Sequence, residues 1–138
     1  MVMDSKILKQ IELIGKSHNL DFVILHGSKV TGRSINPESD TDIAIYRKGG
    51  FETSEYTKLH SKFLELFGDE IDFKTLHRKN PLFLFEVIKD GQLLYGDEAC
   101  YNDFIINILN RYRDIKPLLD LREKCLGKKN IQLQQLYA

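Results

Sequence analysis

The sequence predicts one α/β (α+β) domain, a small sheet with helices before, between and after its strands. Three observations predict it. Short apolar runs end at glycine or polar clusters, the stretches between them carry apolar residues at helical spacing, and no repeat, low-complexity tract or linker divides the 138 residues. That length suits a single hydrophobic core, and an apolar fraction of 42% with 29% charged residues is that of a soluble globular protein. The predicted single domain spans 1–138, with a core over about 5–96, a C-terminal helical segment over about 99–126 and a polar tail over 127–138.

Ile7, Leu8, Ile11 and Ile14 recur at helical spacing and predict a helix over 5–18, ended near Asn19. Phe22-Val23-Ile24-Leu25 is a continuous apolar run of the kind a strand buried on both faces requires. It stops at Gly27-Ser28, and the stretch to Glu38 carries Gly, Ser, Asn and Pro, which favour a loop. A second strand is predicted over 42–46, ended by Gly49-Gly50. Tyr56, Leu59, Phe63, Leu64 and Phe67 mark a second helix, with Thr53 or Ser54 as N-cap and Gly68 closing it.

Residues 70–76 alternate polar and apolar, predicting a third strand with one wet face and with Ile71 and Phe73 toward the core. Asn80-Pro81 suits an N-cap followed by proline at the first helical position, opening a helix to Lys89 that Asp90-Gly91 breaks. A short strand or extended arm over 92–95 comes next. From Cys100 to Leu126 a helix is expected, with Phe104, Ile105, Ile108, Leu109 and Tyr112 as its apolar stripe. Pro117 should kink or interrupt it, and the tail after Lys128 should fray.

Charge narrows the function classes. Lysine plus arginine and aspartate plus glutamate both number 20, so the formal net charge is zero. That balance favours neither direct nucleic-acid binding nor a membrane surface. No apolar stretch has the length of a membrane span or a secretory leader. Cys100 and Cys125 show neither metal spacing nor a disulfide framework. A reducing cytoplasm is the expected location.

Three acids stand apart from the rest. Asp40 and Asp42, two apart at the entry of an apolar strand, project from the same side of it, where two like charges repel. A divalent cation such as Mg²⁺, which prefers hard oxygen ligands, reverses that cost. Asp72 lies in the third strand and joins them if that strand runs beside the second. Three carboxylates so placed are what a two-metal phosphoryl or nucleotidyl transfer requires. Gly27-Ser28, directly after a buried strand, permits a tight turn whose N–H groups cradle phosphate, with the Ser28 hydroxyl adding a donor. Lys29 or Arg33 supplies positive charge there. Each piece alone has a plainer reading, as a turn, a solvated loop or the wet face of a strand. His26 is read as a strand-end histidine with a structural hydrogen bond, and His18, His60 and His77 as surface or helix-end residues.

The run G-S-K-V-T-G-R-S-I-N-P-E-S-D-T-D-I-A-I resembles the signature of the DNA polymerase β-type nucleotidyltransferase superfamily. Gly27, Ser28, Asp40, Asp42 and Asp72 match it, and Ser39 matches the Ser-Asp-x-Asp form of its minimal members. The resemblance covers about 22–95, and 90–95 is similar to the end of minimal-nucleotidyltransferase domains. In size and plan the chain is most similar to the antitoxin partners of HEPN ribonuclease toxins. That branch often reads Gly-Ser-x-Ala-Arg-Gly, whereas this chain has Val30-Thr31-Gly32 with Arg33 following.

The resemblance implies a small mixed sheet, ATP or another NTP as donor, and Mg²⁺, two ions being expected. It implies catalysis and metal binding by Asp40, Asp42 and Asp72, with Gly27, Ser28, Lys29 and Ser39 at the nucleotide. In the antitoxin branch it implies AMP transfer to a tyrosine of a HEPN toxin held in a hetero-oligomer. Two rival functions stay open: a non-catalytic module that neutralises its partner by occlusion, and a nucleotidyltransferase acting on an aminoglycoside-type small molecule.

Overall fold

The computed structural model describes residues 5–26, 41–68, 71–77 and 79–137. The first amphipathic stretch forms helix α1 (Ser5–Ser17). It ends where Asn19 takes the left-handed conformation (φ 54°), which asparagine tolerates better than most residues. The apolar run that follows is strand β1 (Phe22–His26), buried along its whole length. Strand β2 (Thr41–Tyr46) lies antiparallel beside it.

Helix α2 (Thr53–Phe67) carries the chain back to strand β3 (Ile71–Thr75), which pairs with β2 in parallel, as a β-α-β connection requires. Its N-cap is Glu52 and not Thr53 or Ser54, and the Glu52 side chain makes no cap bond. The start is set instead by the preceding turn, where Gly49 and Gly50 take φ of 95° and 84°, and by Arg47, which binds both Gly50 O and Glu55. Gly68, at φ 87°, closes the helix as expected.

Asn80 caps helix α3 (Pro81–Lys89), its Oδ1 accepting from Leu82 N at 2.7 Å, with proline inside the first turn. Strand β4 (Gln92–Gly96) pairs antiparallel with β1, completing a four-stranded mixed sheet in the order β3-β2-β1-β4.

Helix α4 (Glu98–Tyr137) is longer than the sequence pattern suggests. Asp97 starts it, its Oδ1 accepting from Ala99 N at 3.0 Å. It passes through Pro117, and the tail expected to fray is helical. Pro117 and Arg113, one turn earlier, are exposed, so water can satisfy the Arg113 carbonyl that proline leaves without an N–H partner. Of the predicted stripe, Ile108 is buried, Phe104 and Ile105 pack against the core, and Tyr112 stacks on Phe85 at 4.1 Å. Leu109 lies outside it and is exposed. Among the described residues, no helix is long and apolar enough to cross a membrane.

Alternation along the strands sorts the core into two layers. Val23, Leu25, Ile43, Ile45 and Phe73 face α1 and α2 and pack with Ile11, Leu59 and Phe63. Phe22, Ile24, Ala44 and Leu76 face α3 and α4 and pack with Leu84, Val87, Tyr101 and Ile108. The second layer covers more of β3 than a wet face implies, since Leu76 is buried and Lys74 lies over the Phe83 ring at 5.0 Å. The same rows, followed to the end of the sheet where β1 stops and β2 starts, arrive at His26, Asp42 and Asp72.

Candidate active site

Register decides which side chains meet. In β1 and β2, His26 stands opposite Asp42, and in β2 and β3, Asp42 stands beside Asp72. Because β2 and β3 are parallel and in register, both aspartates project from the face that carries Ala44 and Lys74 one step further along. Two acids on adjacent strands are thus brought side by side by backbone pairing, close enough for their side chains to interact. The conditional expectation that β3 lies beside β2 is met. Gly27, Ser28, Lys29, Ser39 and Asp40, the other residues singled out from the sequence, lie outside the described residues, as does Arg33.

Lys74 sets the electrostatics. Its Nζ lies 2.9 Å from Asp72 Oδ2, and this bond holds the Asp72 carboxyl below the usual carboxylate range against the opposing effect of partial burial. Asp72 is therefore ionised at neutral pH, with its carboxylate about half exposed at the mouth of the sheet. In the sequence Lys74 is only a polar position of an alternating strand. Its role comes from the two-residue offset that puts it on the face of Asp72, a signal the alternation contained.

His26 ends β1, as expected. It is 7% exposed, and its Nε2 finds no hydrogen-bond partner among the described residues. Burial, with help from the Lys74 charge, pushes its imidazole down to about 4, so the ring is neutral at physiological pH.

Asp42 and Asp72 offer hard oxygens of the kind Mg²⁺ prefers, and Asp72 is held in the charged form that binding requires. The donor chemistry fits a divalent cation. Among the described residues there is no group of three or more acids, histidines or cysteines placed to hold a metal, so these two carboxylates are the part of such a site that is described. A cavity of about 740 Å³ between α1, β4 and the start of α4 does not include them.

Residues 9–99 match the family described as polymerase beta, nucleotidyltransferase. No curated protein matches the sequence. Solved structures similar in fold include a toxin–antitoxin with AMP-PNP, at a TM-score of 0.67 and 18% identity, covering 82% of this chain and 95% of that one. Another is a tri-AMPylated Shewanella oneidensis HEPN toxin in complex with MNT antitoxin, at a TM-score of 0.65 and 17% identity over 86% and 97% of the two chains. A third is the toxin–antitoxin MntA-HepT, at 0.64 and 16% over 85% and 97%.

Proposed function

The chain belongs to the polymerase beta nucleotidyltransferase family, and from that premise we propose that it is a Mg²⁺-dependent nucleotidyltransferase, a single-domain antitoxin that transfers AMP, or another NMP, from an NTP to a tyrosine hydroxyl of a HEPN-type toxin. The observation that carries this reading is the pairing of Asp42 with Asp72 in register on parallel strands. Packing gives no reason to place two carboxylates there, and nucleotidyl transfer does. The likeness in fold to toxin–antitoxin structures, one with AMP-PNP and one with a tri-AMPylated toxin, supports the donor and the acceptor class.

In the reaction, the acceptor hydroxyl oxygen attacks the α-phosphorus, and the bond from that phosphorus to the bridging oxygen of the β-phosphate breaks. Pyrophosphate leaves, and the hydroxyl proton passes to solvent. Mg²⁺, when bound, neutralises phosphate charge and makes the hydroxyl a better nucleophile. Asp40, Asp42 and Asp72 are the residues that would hold it. Lys74 keeps Asp72 ionised. Gly27, Ser28, Lys29 and Ser39 bind and orient the triphosphate.

Purified protein mixed with its partner toxin, Mg²⁺ and α-labelled ATP is expected to label the toxin, and Asp42→Ala protein is expected to leave it unlabelled. Full labelling by Asp42→Ala would overturn the site. Protection of cells by the Asp40/Asp42 double variant, with no toxin modified by the wild type, would favour neutralisation by occlusion. Labelling of an aminoglycoside without partner protein would move the acceptor to a small molecule.

A further inference from the structure

The three other histidines of the chain are accounted for by the fold. His18 Nδ1 bonds Glu55 Oε2 at 3.1 Å, His77 Nε2 donates to the Arg47 carbonyl, and His60 stacks on Phe73 at 5.2 Å. His26 is the most buried of the four, and its Nε2 has no partner among the described residues. A buried polar atom without a partner carries a desolvation penalty that packing alone does not reward. Phe22 and Ile24 precede it in the same row of β1, facing the same helices, and a phenylalanine at position 26 would continue that row with no polar atom to satisfy.

Its position gives the imidazole something to bind. His26 is the last residue of β1, directly before Gly27-Ser28, and stands opposite Asp42, which is itself beside Asp72. Ionised carboxylates only accept hydrogen bonds, so they reach a phosphate through a cation and not directly. An imidazole at that point is a directional hydrogen-bonding group, buried and in line with Asp42, beside the Lys74–Asp72 pair. We propose that His26 is a nucleotide-binding residue whose Nε2–H donates to a phosphate oxygen of the bound nucleoside triphosphate. This rests on the nucleotidyltransferase reading above.

The test compares wild type, His26→Phe, His26→Gln and His26→Asn in two measurements: thermal unfolding without nucleotide, and calorimetric binding of a non-hydrolysable ATP analogue with Mg²⁺. Gln carries an N–H donor near the place of Nε2, and Asn does not reach it. His26→Phe is expected to melt at or above the wild-type temperature, because the orphaned nitrogen is gone, while binding the analogue about tenfold more weakly. His26→Gln is expected to stay within about threefold of wild-type affinity, with His26→Asn weakened like the Phe variant. A His26→Phe protein that binds as tightly as wild type overturns the proposal and leaves the nucleotidyltransferase reading standing. If that variant does not fold, equal affinities of the Gln and Asn variants overturn it. Wild-type protein that fails to bind the analogue overturns both readings together.

Discussion

The two ends of the sheet handle charge in opposite ways. At the end where β2 finishes, Arg47 spends its guanidinium completely. It donates to Glu55 Oε1 at 2.6 Å and Oε2 at 2.9 Å, to the His18 carbonyl at 2.8 Å and to the Gly50 carbonyl, and it lies 4.4 Å over the Phe51 ring. Glu55 bonds His18 as well, and Asp21 accepts from Lys48 N. At the end where β2 begins, two carboxylates stand side by side, one lysine serves Asp72, and a buried histidine nitrogen has no partner among the described residues. The first arrangement ties together α1, the glycine turn and α2, so it belongs to stability. The second keeps two acids adjacent and, among the described residues, an imidazole nitrogen without a partner, so on the proposed function it serves the nucleotide site. Substitutions at the two ends should therefore separate activity from stability.

The largest effect is expected at the β2 entry. Asp42→Ala should lower nucleotidyl transfer by about 1000-fold or more, roughly 4 kcal/mol of barrier. Its melting temperature should stay within a few degrees of wild type, because Asp42 lies at the entry of β2, outside both core layers. Labelling and a thermal melt of the same sample check both halves. An inactive variant that also melts several degrees lower would break the comparison, since the pair would then be holding the fold together.

Arg47→Ala should do the reverse. Removing the guanidinium leaves Glu55, which is only about a quarter exposed, and two backbone carbonyls without their charged donor, and a loss of about 2–3 kcal/mol is expected in urea unfolding. Arg47→Lys should recover less than half of it, because an ammonium cannot reproduce the fork that spans Glu55 and Gly50. Transfer per folded molecule should stay within about twofold of wild type.

The same contrast marks what could be read from the sequence. Strands β1 and β2 were legible because a strand buried on both faces must be continuously apolar, and Ile24 and Ala44 are fully buried. The meeting of Asp42 and Asp72 was legible only on the condition that the third strand run beside the second, and the parallel, in-register pairing meets that condition. Arg47 was not. Beside Lys48 and a glycine pair it reads as a solvated loop, since one of its partners, His18, is distant in sequence and comes near only when α1 packs on the sheet. His26 read as a structurally bonded strand end, and only the packing around it shows an unmet nitrogen. Pro117 read as a kink or an interruption; the helix is not interrupted there, because at an exposed position water can stand in for the missing bond.

The smallest expected effect concerns pH and also falls at the far end. The Arg47 guanidinium, followed by His18, holds the Glu55 carboxyl down to about 2 from its ordinary 4.5. Above pH 4.5 the group is ionised in both folded and unfolded chains, and its contribution to stability is fully present. As pH falls from about 4.5 toward 2, the unfolded chain takes up the proton first, so the contribution is progressively lost. Wild type should therefore lose stability across that window faster than Glu55→Gln, whose own slope there should be shallower by the share of one carboxyl. Urea midpoints measured at pH 5.5, 4.5, 3.5 and 2.5 read the difference directly. Parallel slopes for the two proteins would mean that the Arg47–Glu55 contact is held loosely in solution, and the stabilising role of this end would pass to Arg47's bonds with the His18 and Gly50 carbonyls.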